Sequence, residues 1–155
     1  MNPEQAQTLR SILSAQQVAA LGTLHEGVPY VSMVPFALLR DGSAVIHVSA
    51  LAAHTRAMLA EPAVSLLVMA PPSAGVLPQA LPRVTIQALA ASCGPVDPRH
   101  AEARAAYLGR FADSEPIFSF GDFSLFVLAP QSLRLVAGFA QAHTLAPTGL
   151  AAALQ

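Results

Sequence analysis

The chain's pattern predicts an α+β fold built mainly on antiparallel strands: a small barrel of six to seven strands flanked by two or three helices. Three observations lead there. Short apolar runs follow one another with polar turns between them, as hairpin-connected strands do. Two or three stretches of helical period interrupt those runs. Apolar residues make up 54% of 155 residues and charged residues only 11%, enough to build one buried core. A single domain over residues 1–155 is expected, with its core at about 15–142.

The elements follow in order. Asn2 suits a helix N-cap and Pro3 the first helical position, with Leu9, Ile12 and Leu13 on one face. Val18–Leu24 and Pro29–Leu39 read as strands joined at His25-Glu26-Gly27, where glycine supplies a positive φ. Asp41-Gly42 turns the chain into a strand from Ala44 to Ser49. Leu51–Ala60 reads as a short helix stopped by Glu61-Pro62, and Ala63–Met69 as a buried strand. Six residues from Pro71 to Pro82 are proline, glycine or serine breakers, so a long loop is expected there, functional or mobile. A long strand runs from Arg83 to about Ser92, and Pro98 opens a helix that continues to Arg110. Two strands, Phe123–Leu128 and Leu133–Val136, close the pattern around a turn at Ala-Pro-Gln-Ser. The segment after Gly138 shows no clear period.

Composition excludes several functions. The formal charge is −1 and no basic cluster exists, so a nucleic-acid binder is not expected. There is no lysine, which removes Schiff-base and lysine-base chemistry and leaves eight arginines as the fixed cations. The one cysteine, Cys93, precludes a disulfide framework or a multi-cysteine metal site within one chain, and no metal site is expected. Its apolar surroundings point to a buried, inert thiol. No basic n-region opens the chain and no apolar run approaches the ~20 residues a membrane span needs, so a cytoplasmic location without membrane association is expected. So apolar a surface calls for cover, and a homodimer is the expected partner arrangement.

Candidate chemistry concentrates where the third strand meets its helix. Ser49, His54, Thr55 and Arg56 bring hydroxyls, an imidazole and a guanidinium to a helix start, where free N–H groups favour an anion such as phosphate. The competing reading makes Ser49 a helix cap and His54 and Arg56 solvated surface groups. Elsewhere His25 and His100 read as exposed and His47 as a structural histidine. Asp122 reads as a turn residue bonding N–H groups. No Ser-His-Asp spacing, HExxH, P-loop or GxGxxG pattern is present.

The run Gly-Val-Pro-Tyr-Val-Ser-Met-Val-Pro-Phe, followed by Asp-Gly, Ser-Ala-Leu-Ala-Ala-His-Thr-Arg and Glu-Pro-Ala-Val-Ser-Leu-Leu-Val, resembles the pyridoxamine-phosphate-oxidase-like flavin-binding split-barrel superfamily. Within it, the haem-utilisation (HugZ-like) branch is the nearest likeness. Pro82-Arg83-Val84-Thr85-Ile86, Gly121-Asp122-Phe123 and Gly138-Phe139-Ala140-Gln141-Ala142 add to it, so that it covers roughly Ala15 to Ala142. The resemblance implies a dimer of split barrels with FMN between the subunits. It places Ser32, Met33 and Val34 beside the flavin ring, Ser49, His54, Thr55 and Arg56 at its phosphate, and Arg83 on a following strand that reaches the flavin. The segment at Phe139 would close the site, from the partner subunit or its own.

Departures from the family pattern refine the expectation. Ser32 stands where pyridoxamine phosphate oxidases carry an arginine and Ala37 where they carry a lysine, while Ala52-Ala53-His54 replaces a Ser-Arg-Lys triplet. Vitamin B6 oxidation is therefore not expected. Ala88 and Ala140 replace glycines usual in the haem-utilisation branch. The chain ends at Gln155, without the C-terminal extension that contributes to haem binding in branch members known to bind it. The resulting expectation is an FMN-dependent oxidoreductase acting on a small organic molecule, with NAD(P)H or oxygen as electron partner and no catalytic residue singled out. The alternatives are a haem-binding or haem-utilisation protein, with His143 as candidate iron ligand, a non-catalytic flavin binder, or a cofactor-less dimeric scaffold.

Overall fold

The computed structural model describes residues 1–154. Its first helix, α1 (Pro3–Ala15), forms as the sequence predicts. The Asn2 side chain accepts the Gln5 N–H and the Gln5 side chain accepts the Asn2 N–H, both at 2.9 Å, closing a capping box. Leu9, Ile12 and Leu13 are buried on its inner face.

Strands β1 (Val18–His25) and β2 (Val28–Pro35) form a hairpin over Glu26-Gly27. Both turn residues have positive φ, 51° and 79°, the conformation a two-residue hairpin loop with matching twist requires. The expected single strand to Leu39 is instead broken at Phe36. Strand β2 pairs with β1, whereas β3 (Ala37–Leu38) pairs with β4 (Ala44–Ser49). Phe36 itself is buried between them and donates its N–H to the Gln17 carbonyl. Helix α2 (Ala53–Ala60), β5 (Ala63–Met69) and β6 (Arg83–Ser92) lie where predicted. Between β5 and β6 the proline-rich loop contains a 3-10 turn at Pro78–Ala80. Helix α3 (His100–Arg110) starts two residues beyond Pro98 and runs into a 3-10 segment, Ala112–Ser119, that the sequence did not announce.

The expected turn at Ala129–Ser132 is absent. Residues Phe123–Val136 form one 14-residue strand, β7, paired with β6 from Phe126 to Val136. The register slips between Gln87 and Ala88, whose partners are Ser132 and Pro130, so Gln131 is bulged out. The slip explains how a proline can sit within an interior strand. On its other side β7 pairs with β4 up to Leu128 and with β8 only from Leu133, so Pro130 lies in a gap where no ladder needs its missing N–H. The tail also has structure: β8 (Ala142–Leu145) and a fourth helix, α4 (Thr148–Leu154). Helix α4 buries Leu150 and Ala153. It packs on α1, where Arg10 Nε donates to the Ala153 carbonyl, and on the Asp41-Gly42 turn. A Cβ at Gly42 would lie 2.9 Å from Leu150 Cγ, and its φ is +87°, so the turn needs glycine for both reasons.

Hydrogen bonding orders seven strands β2-β1-β5-β6-β7-β4-β3, with β8 attached to β7. The two ends of that path, β2 and β3, are joined by one residue, so the sheet must curl until its edges meet in an incompletely closed barrel. Its interior holds Leu21, Val34, Ile46, Leu66, Ile86 and Phe126. A second apolar cluster, including Val45, Cys93, Ala103, Tyr107 and Leu125, fills the space between the sheet's outer face and α3. This explains why β4 is buried on both faces. The fold is thus the predicted α+β antiparallel split barrel with flanking helices. No described helix is long and apolar enough to cross a membrane.

Candidate functional site

Strand β4 ends at Ser49, and the chain turns through Ala50-Leu51-Ala52 into α2. Several bonds lock this corner. The Ser49 carbonyl accepts the Ala52 N–H at 3.1 Å and the Thr55 hydroxyl at 2.7 Å. Ser49 Oγ accepts the Leu51 N–H at 3.1 Å and donates to Asp122 Oδ2 at 2.8 Å. The Asp122 carbonyl in turn accepts the Ala50 N–H. Arg56 reaches back to the Leu51 carbonyl at 2.7 Å. Ser49 therefore braces the corner, and the N-cap of α2 is Ala52, whose side chain cannot cap. Among the described residues, the Ala53 and His54 N–H groups at the start of α2 have no hydrogen-bond partner.

Strand alternation places Ser32 and Val34 on one face of β2 and Met33 on the other. Val34 is buried in the core, Met33 is exposed, and Ser32 meets His54, with Oγ 3.1 Å from Nδ1. Burial pushes the His54 imidazole below its ordinary value, which favours the uncharged ring. With Nδ1 engaged by Ser32, Nε2 has no partner among the described residues. A cleft of about 330 Å³ lies between β2 and α2, walled by His25, Val28, Pro29, Tyr30, Ala53, Arg56 and Ala57; Ser32 and His54 are chain neighbours of this wall rather than part of it.

Arg83 and Phe139 belong to a different place. The register sets Ser49 opposite Phe123 and Arg83 opposite Val136, at the two ends of β7. Arg83 donates to the Gln79 and Leu81 carbonyls at 3.2 and 3.0 Å, clamping the end of the proline-rich loop. Phe139 is 68% exposed in the turn that leads to β8. One chain thus joins Ser32, Ser49, His54, Thr55 and Arg56 in one region and leaves Arg83 and Phe139 in another. His143 is half-buried on β8, paired with Leu135. Ala140, where the branch has glycine, has a φ of +61°, a conformation that costs an alanine energy and that glycine would adopt freely.

Other residues stand differently from their sequence reading. His100 is not simply exposed: its Nδ1 lies 2.9 Å from the Cys93 carbonyl. Cys93 is fully buried, as expected, and burial, with Asp97 nearby, raises its thiol. His47 is buried as a structural histidine would be, yet no group among the described residues hydrogen-bonds its ring. Sequence reasoning missed the cleft it lines with Arg104, Glu115 and Phe118, residues from three separate segments. The one signal was a histidine in a strand otherwise apolar from Val45 to Val48.

The corner fits an anionic ligand in a narrower way than a full phosphate cradle. The Ser49 and Thr55 hydroxyls are spent within the protein, and the Asp122 carboxylate adds negative charge beside Ser49. Arg56, whose bond to Leu51 leaves further guanidinium donors, and the free amides of Ala53 and His54 remain. These suit the phosphate of FMN or the propionates of a haem, and a neutral imidazole with a free nitrogen suits an iron.

Comparison with known proteins agrees with this architecture. The pyridoxamine 5'-phosphate oxidase family matches residues 6–137. The non-canonical heme oxygenase HOZ of Arabidopsis thaliana chloroplasts is 35% identical over 139 residues, 86% of this chain and 40% of that protein. A heme binding protein from Mycobacterium smegmatis superposes with a TM-score of 0.85 at 35% identity, over 98% of this chain and 62% of that one. HutZ, the heme storage protein of Vibrio cholerae, shares the fold, with a TM-score of 0.76 at 23% identity over 90% of this chain and 97% of its own. The chain thus spans less than two thirds of the length of its Arabidopsis and mycobacterial relatives. With the curled antiparallel sheet, the corner at Ser49 and the match over most of its length, this chain belongs to the pyridoxamine 5'-phosphate oxidase family.

Proposed function

We propose that this protein binds haem, at the region where β2 meets α2, and serves in haem utilisation. The observation that carries the reading is the similarity, over 98% of this chain at 35% identity, to a protein described as heme binding. The chloroplast relative at the same identity is a heme oxygenase, which points the same way. In this chain His54 is the first candidate iron ligand. Burial favours its uncharged form, Ser32 orients it, and Nε2 has no partner among the described residues. Arg56 would pair with a propionate. The exposed apolar side chains of Tyr30 and Val28 would lie along the porphyrin's edge. Bound haem would supply a redox-active iron. A second copy of the chain, covering β2, would complete so shallow a site, and it could bring its own Phe139 and His143.

Haemin titration followed at the Soret band tests this. The wild-type protein is expected to bind, His54→Ala to lose or shift the band, and Arg56→Ala to bind about 1.5–3 kcal/mol more weakly, the range for a charge-assisted bond. Loss of the band in His143→Ala alone would move the ligand to β8. Failure of the wild type to bind haemin overturns the reading.

A second reading, FMN binding with oxidoreductase activity on a small organic substrate, rests on the family match together with the free amides and Arg56 at the start of α2. A parallel FMN titration, with NAD(P)H oxidation as the activity readout, favours it if flavin binds where haemin does not. Ser32 and Ala37 in place of the family's arginine and lysine argue against pyridoxamine phosphate as the substrate.

A further inference from the structure

A second cleft, of about 380 Å³, opens on the outer face of the sheet between β4, β7, α3 and the 3-10 segment that follows α3. His47 forms part of its wall. Only 8% of this residue is exposed, and its ring stacks on Phe118 at 3.9 Å and 12°. Tyr107 and Phe123 flank it at 5.7 and 5.3 Å. The histidine brings two polar nitrogens with no partner among the described residues, although every fully enclosed side-chain nitrogen or oxygen among them has one. The His47 nitrogens therefore retain access to the cleft they line, where a bonding partner has to come from outside the protein.

The mouth of the cleft carries the opposite kind of group. Arg104 lies 5.0 Å over the Phe118 ring and pairs with Glu115 at 2.5 Å through a single nitrogen, which leaves other guanidinium donors open. His100, held by the Cys93 carbonyl, stands beside it. No group of three or more His, Cys, Asp or Glu among the described residues is placed to hold a metal ion. An aromatic wall, an unpartnered imidazole edge facing the cleft and a cation at its mouth favour a ligand that joins a ring, a polar group and an anion. We propose that this cleft binds a small planar aromatic carboxylate bearing a ring hydroxyl. The hydroxyl bonds His47, the ring packs against Phe123 and the edge of Phe118, whose face is stacked on His47, and the carboxylate takes Arg104 from Glu115.

The test uses 6-hydroxy-2-naphthoate and its two truncations, 2-naphthoate and 2-naphthol, titrated by ligand fluorescence against the full chain, which has no tryptophan to interfere. The complete probe is expected to bind about tenfold more tightly than either truncation, the effect of one good polar contact. In His47→Phe the hydroxyl's advantage disappears, and in Arg104→Met the carboxylate's advantage disappears. In Glu115→Gln, an exposed position whose change does not threaten folding, the two carboxylates bind several-fold more tightly and 2-naphthol is unaffected. Equal binding of all three probes, absence of saturable binding, which leaves water as the partner of His47, or unchanged affinity in Glu115→Gln overturns the proposal.

Discussion

Two histidines show how the same side chain takes on different roles. His47 and His54 are both held below their ordinary value of 6.5 by burial, which penalises the charged ring. His54 has a hydroxyl partner, whereas His47 has only aromatic faces. Because the folded pKa values are depressed, the unfolded chain binds protons first as pH falls. Their contribution to stability is present in full above the ordinary value and is lost as pH drops from there through the folded pKa values. The urea midpoint is therefore expected to be lower at about pH 5.5 than at about pH 7.5, with a smaller drop in His47→Phe. An undiminished drop in that variant would show that His47 contributes nothing to the pH response. Ser49 teaches a related lesson: type and spacing marked it as a phosphate donor or a helix cap, but its hydroxyl braces Asp122, 73 positions away.

Arg110 ties elements together. It is the last residue of α3, and its Nη2 donates to the carbonyls of Leu13, Ser14 and Gln16 at the end of α1, where the helix leaves acceptors unsatisfied. Its guanidinium also lies 4.9 Å from the centre of the Phe36 ring, at the break between β2 and β3. One side chain thus joins two helices and the seam of the barrel. Arg110→Met, which keeps much of the apolar stem, is expected to cost about 1.5–3 kcal/mol in urea unfolding, since charged donors to several carbonyls are lost together. A change within about 0.5 kcal/mol, as at an ordinary surface site, would deny it that role. Helix boundaries at α1 and the run of β6 were legible because caps, prolines and apolar spacing are local. The single β7 was not, because a Pro-Gln-Ser run signals a turn unless a neighbouring strand carries the ladder across it, as β6 does here.

At the scale of the whole molecule, β2 is the feature left unexplained by one chain. It ends the sheet's path, pairs only with β1, and exposes Val28, Tyr30, Val31 and Met33 over its two faces. An apolar edge strand of that kind is a template for association unless it is covered. A dimer closed over β2 is expected by size-exclusion chromatography with light scattering, and the double change Val31→Glu, Met33→Glu is expected to give monomers. A monomeric wild type at micromolar concentration would refute it.

The amino-acid pattern by itself determined the fold class, the helix at the N-terminus, the strands up to β6 except for the break at Phe36, and the grouping of Ser49, His54, Thr55 and Arg56, because these signals lie a few residues apart. Only the tertiary structure decided that Ser32 orients His54, that Arg83 clamps a loop at the far end of β7, and that His47 lines a cleft without a partner. Those outcomes depend on which strands curl beside one another, and hydrogen-bond partners 22 or more positions apart leave no periodic trace in the chain.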